Sequence, residues 1–151
     1  MNVVWIVADT LRRDHLGVYG NTKMHTPSLD ALAARSVRFD RHYFAAFPTM
    51  PARADFFTGR WTMSFMQWDP LPEDEKSLAL ILSSKGIQST AIVDTPFFSR
   101  NGMNYDQGFV TYFEIPGQTT GRGETIDVRG SWRYESDRFA PRTFTTATQW
   151  L

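Results

Sequence analysis

Asp9 ends the apolar run Val3-Val4-Trp5-Ile6-Val7-Ala8. Some forty residues on, Thr49-Met50-Pro51-Ala52-Arg53 sets a hydroxyl residue just before a proline that can open a helix, with an arginine one turn further. A carboxylate at the carboxyl end of a strand is a hard oxygen ligand suited to a cation such as Ca²⁺ or Mg²⁺. A hydroxyl at a helix N-terminus is placed as a nucleophile, because free amides and the helix dipole stabilise both an alkoxide and an approaching anion. The planar fork of Arg53 matches an oxyanion. The combined chemistry is ester hydrolysis on an anionic group such as sulfate or phosphate.

Each residue also has a plainer reading. Asp9 can cap the turn that follows it. Thr49 can be an ordinary N-cap. Arg53 can be a solvated helix arginine or pair with Asp55 or Asp9. His15, His25 and His42 are scattered rather than set at helical spacing, so no zinc motif emerges and surface or capping roles fit them. Trp61, Trp68 and the Phe56-Phe57 pair read as core rather than as a substrate platform. The chain holds no Walker-type loop and no Gly-x-Gly-x-x-Gly, so nucleotide-cofactor chemistry has no support.

These residues need elements to hold them. Asn2 to Ala8 is a continuous apolar run between polar residues, as in a strand buried on both faces of a parallel sheet. Leu11 to Tyr19 is a loop or short helix. Thr26 as N-cap and Pro27 at the first position open a helix carrying Leu29, Leu32 and Ala33. Val37 to Phe44 reads as a second strand. Pro48 to Thr58 is the turn and helix carrying Thr49 and Arg53, closed by Gly59. Glu73 to Ser84 reads as a helix with an acidic first turn, an apolar face of Leu78, Ile81 and Leu82, and Lys85-Gly86 at its end. Ser89 to Val93 is a third buried strand, ending in Asp94, and Phe109 to Ile115 is a further candidate. Thr119 to Pro141 reads as a long loop or insertion. The alternation predicts an α/β fold with a mostly parallel sheet flanked by helices. Ligands of such sheets bind outside the carboxyl ends of the strands, where Asp9, the Thr49 turn and Asp94 would gather.

The composition narrows the function. A length of 151 residues suits one domain with a sizeable core. Sixteen basic residues balance sixteen acidic ones, which argues against a nucleic-acid binder. No apolar run is long enough for a transmembrane helix. There is no cysteine, which excludes disulfides and thiolate metal sites. Met1-Asn2 runs straight into the first apolar run, leaving no room for a signal peptide. Both features lead to the expectation of a cytoplasmic location. The last residues, Thr145 to Leu151, read as the opening turns of an amphipathic helix without a capping glycine. The expectation is therefore an N-terminal portion, spanning residues 1–151, of a longer protein.

The ordered blocks resemble the sulfatase family, within the alkaline phosphatase superfamily. Asn2 to Gly20 looks like the family's opening, and His25 to Ala33 like its next block. Thr49-Met50-Pro51-Ala52-Arg53 with Thr58-Gly59-Arg60 is similar to the signature Cys/Ser-x-Pro-x-Arg and its trailing Thr-Gly-Arg. The resemblance runs from about residue 2 to residue 115. It implies a divalent-metal hydrolase (Ca²⁺, Mg²⁺, Mn²⁺ or Zn²⁺) of small sulfate or phosphate esters, with an alkaline-phosphatase-like α/β domain that this chain represents incompletely. It matches Asp9 to the first metal-ligand aspartate, Thr49 to the residue converted to formylglycine in sulfatases, and Arg53 to the arginine supporting it.

Three departures stand out. Formylglycine maturation needs Cys or Ser, and a Thr here looks like the direct nucleophile of phosphodiesterases and phosphoglycerol transferases in the same superfamily. Thr10 stands where sulfatases usually carry a second aspartate. Asp94-Thr95-Pro96-Phe97-Phe98 stands where the family carries a lysine and a histidine. The family's remaining metal ligands fall in its later half, so the rest of the chain or a partner would have to complete the site. The rival reading is a non-catalytic domain that binds anions or a partner.

Overall fold

The computed structural model describes residues 2–95, 102–115 and 134–151. Two units divide the chain, Met1–Phe44 and Ala45–Leu151.

The first unit is built from short 3₁₀ turns at Arg13–His15 and Gly17–Tyr19 and the helix α1, Pro27–Ala33. Proline at the first helical position behaves as expected, but Thr26 does not cap α1 with its side chain. Its hydroxyl instead accepts from the Gly17 amide at 2.9 Å. Asp30, one turn into α1, accepts from the Val18 amide at 2.6 Å. The turn and the helix are thereby clipped together by side-chain oxygens. Gly17 is required at this clip, since a Cβ there would stand 2.4 Å from the Asp30 carboxylate. The guanidinium groups of Arg13 and Arg38 lie 4.4 and 5.1 Å from the Tyr19 ring centroid.

Asn2–Ala8 and Val37–Phe44 form no strand, contrary to the reading of their apolar runs. A strand needs a neighbour for its amides and carbonyls. Among the described residues the sheet contains only two strands, and both lie in the second unit.

The second unit begins with α2, Thr49–Thr58, which ends at Gly59 in the left-handed conformation. α3 spans Leu78–Ser84 and starts later than the acidic run suggested, because Ser77 caps it by accepting from the Leu80 amide. Its buried residue is Ala79, while Leu78 and Ile81 are exposed. Small Ala79 suits a close approach here: Gly108 comes so near that a Cβ would meet the Leu80 nitrogen at 2.3 Å.

β1 (Thr90–Val93) and β2 (Thr111–Glu114) pair in parallel, with Thr90 opposite Thr111 and Val93 opposite Glu114. The helices with this parallel pair make an incomplete α/β fold. Residues 119–133 of the expected loop lie outside the described residues. Its last part is ordered differently from that reading: Phe139 to Pro141 already belong to α4, Phe139–Trp150. Among the described residues no helix is long and apolar enough to cross a membrane.

The core of the second unit joins Met50, Ala54, Met66, Leu71, Met103 and Tyr105, with Phe57 packed against it. Edge-to-face rings continue from Phe57 to Phe109 and on to Tyr112, so aromatic packing ties α2 to β2. Trp61 and Trp68, read as core residues, are instead exposed.

Candidate active site

Thr49 is the first residue of α2 and is half-buried. It is not the N-cap; that place is taken by Pro48, whose side chain accepts nothing. Helix geometry leaves the first amides without intrahelical acceptors. In α2, Pro51 removes one such donor, and the Ala52 amide is already bound to the Pro48 carbonyl at 3.1 Å. The amides of Thr49 and Met50 are the donors that helix geometry leaves to an anion at this end.

Pro51 does not open the helix but sits two residues inside it, where it is buried with Met50 and Ala54. Those three residues fix the inward face of the first turn. Arg53 follows Thr49 by one turn on the same helix and is half-buried. Helical spacing therefore brings hydroxyl and guanidinium to one side of α2.

The next carboxylate, Asp55, is engaged by Thr62. Its Oδ1 accepts from both the amide and the hydroxyl of Thr62, each at 2.7 Å. The Thr62 hydroxyl also lies 3.2 Å from the Pro51 carbonyl. This clip fixes how the chain returns after Gly59. Arg60 then pairs with Glu75 at 2.6 Å and lies over the Phe65 ring.

Asp9 belongs to the first unit, where it is exposed and sits in a turn. Thr10 after it has φ 56°, a left-handed conformation that a β-branched residue adopts at a cost. Asp94 follows β1 and is half-buried, and its two oxygens accept from Thr95 and Thr143, each at 3.3 Å. Pro96 to Phe98 lie outside the described residues. His15, His25 and His42 are all exposed.

Among the described residues no three His, Asp or Glu side chains gather to hold a metal. Asp9 offers one hard oxygen ligand, which by itself falls short of a cation site. The chemistry built here is that of Thr49, Arg53 and the start of α2.

Tyr105 was invisible to sequence reasoning. Its side chain is buried in the core, and its hydroxyl donates to the Met50 carbonyl at 3.4 Å. Burial pushes its pKa up to about 12, with the positive charge of Arg53 pulling the other way. Asn104-Tyr105-Asp106 has no periodicity that would mark a core position. Only its contacts reveal it.

Residues 1–148 match the sequence model of the Sulfatase family. The chain belongs to the sulfatase family. Human Arylsulfatase D is 37% identical over 99 residues, covering 56% of this chain and 17% of that protein. Human Arylsulfatase H is 30% identical over 137 residues, covering 76% of this chain and 24% of that protein. Human Steryl-sulfatase is 32% identical over 106 residues, covering 61% of this chain and 18% of its own length. The chain thus spans about a quarter or less of the curated relatives it matches. No solved structure matches it.

Proposed function

We propose that this sulfatase-family chain is the nucleophile-bearing N-terminal portion of a sulfate-ester hydrolase. The observation carrying this reading is Thr49 at the first position of α2, with Arg53 one turn on, in a chain matched to the family along nearly its whole length. Thr49 Oγ attacks the sulfur and forms a covalent sulfate ester. The bond from sulfur to the substrate's ester oxygen breaks, and that oxygen leaves with a proton supplied by an acid outside these residues. The Thr49 proton passes to a base outside these residues. The Thr49 and Met50 amides and Arg53 stabilise charge on the remaining sulfate oxygens. Water then cleaves the intermediate. The reading includes a divalent cation, with Asp9 as one ligand and the others beyond this chain's described residues.

A second reading is favoured by one observation, the threonine itself. A hydroxyl residue that attacks directly serves phosphate esters equally well, so phosphoryl transfer is the alternative substrate chemistry.

The test is turnover by the whole protein on para-nitrophenyl sulfate and para-nitrophenyl phosphate. Thr49→Ala lowers kcat by several orders of magnitude, while Thr49→Ser keeps part of it. Near-wild-type activity in Thr49→Ala would leave Thr49 a helix residue only. An inactive wild type that still binds sulfate would favour the non-catalytic reading.

A further inference from the structure

We propose that Tyr105 is a positioning residue for Thr49, holding the first turn of α2 at the angle from which the hydroxyl attacks. The inference rests on the hydrolase reading above.

Tyr105 touches α2 at two places. Its hydroxyl donates to the carbonyl of Met50, the residue after Thr49, at 3.4 Å. Its ring meets Phe57 edge to face, with centroids 5.6 Å apart. Phe57 lies two turns further along the same helix, so one side chain splints α2 near both ends. A phenol keeps its proton at ordinary pH, and burial, which raises this pKa to about 12, only widens that range.

The splint is itself braced. The Leu71 amide donates to the Met103 carbonyl, and the Asn104 side-chain amide donates to the Leu71 carbonyl, both at 2.9 Å. Asn104 takes a left-handed φ of 64°, which asparagine tolerates better than most residues. That conformation turns the chain so that Tyr105 enters the core. The brace is thus anchored outside α2, and a shift of the first turn must work against it. The direct hydroxyl contact is long, so the expected effect on rate is modest. Thr49 Oγ is one residue from the held carbonyl, and small errors in attack geometry lower the rate without changing how substrate binds.

Tyr105→Phe removes the hydroxyl and keeps the ring. In the whole protein, with para-nitrophenyl sulfate, kcat falls about three- to tenfold while KM stays nearly constant. Hydrogen exchange at the Ala52 amide, which bonds to Pro48, speeds up relative to the amides of α3. Met66→Ala serves as the control. It truncates the same core and costs more stability, yet leaves kcat near wild type. An equal loss of kcat in Met66→Ala would make Tyr105 an ordinary core residue and overturn the proposal. So would unchanged kcat and unchanged exchange in Tyr105→Phe. If Thr49→Ala keeps activity, the hydrolase reading fails by itself. Exchange then decides the proposal: loosening confined to the first turn of α2 supports the splint, and none overturns it.

Discussion

Val3 and Val37 expose 79% and 81% of their surface, whereas Met50, Ala54 and Leu71 expose none. The first pair belongs to the unit ending at Phe44 and the second group to the unit that follows. All buried hydrophobic residues among those described lie at or beyond Ala46. The first unit is held instead by polar clips: Asp30 on the Val18 amide, Thr26 on the Gly17 amide, and Arg38 between Asp40 and the Tyr19 ring. The ion pairs Arg12–Asp14 and Arg38–Asp40 are exposed. Hydrogen bonding from Arg12 lowers the pKa of Asp14, but such surface pairs stabilise little. The lesson is that similar apolar runs can end up with different fates. Burial follows from having a surface to pack against, not from hydrophobicity alone.

Core truncation gives the widest separation between the two units. Leu71→Ala should cost about 2–5 kcal/mol of unfolding free energy, since it empties a fully buried site between Met103 and the α2 core. Urea denaturation followed by tryptophan fluorescence measures it. A loss below about 1 kcal/mol would mean that the second unit is no better packed than the first.

Alkaline pH acts on the second unit through Tyr105. Its folded pKa is raised to about 12 from the usual 10, so the folded state holds the proton more tightly than the unfolded chain. The contribution is complete below pH 10 and is lost as pH rises towards 12. The loss is on the order of 2 kcal/mol. The difference in urea midpoint between wild type and Tyr105→Phe should therefore shrink or reverse over that window. A constant difference would show that the phenol is not buried.

The smallest effect is expected where the apolar side chain is already in water. Val3→Ala in this 151-residue chain should change stability by less than about 0.5 kcal/mol. A loss comparable to that of Leu71→Ala would show that the first unit has a core after all and would erase the contrast.

The α2 region was the most legible part of the chain. Its limits were readable because the signals are local: proline near the start, glycine at the end, and threonine and arginine one turn apart. The helix α1 and the strands β1 and β2 were readable for similar reasons, to within a residue or two. The runs at residues 2–8 and 37–44 misled, since a strand is a relation between two segments and the run alone shows only one. α3 was read too long, because an acidic stretch resembles a first turn until Ser77 is seen to cap later. Trp61 and Trp68 read as core on residue type, but both are exposed in the structure.

By itself the sequence determined the family, the helix that presents Thr49, and the order of chemistry-bearing residues along the chain. These depend on residue identity and on spacings of a few positions, which local geometry converts directly into structure. Only the tertiary structure decided that Pro51 lies inside α2 and that Thr62 takes Asp55. It alone brought Tyr105, fifty-five residues away, to the carbonyl beside Thr49. Contacts across such distances in the chain arise from packing a shared core, and no local pattern of residues encodes which partners that packing will select.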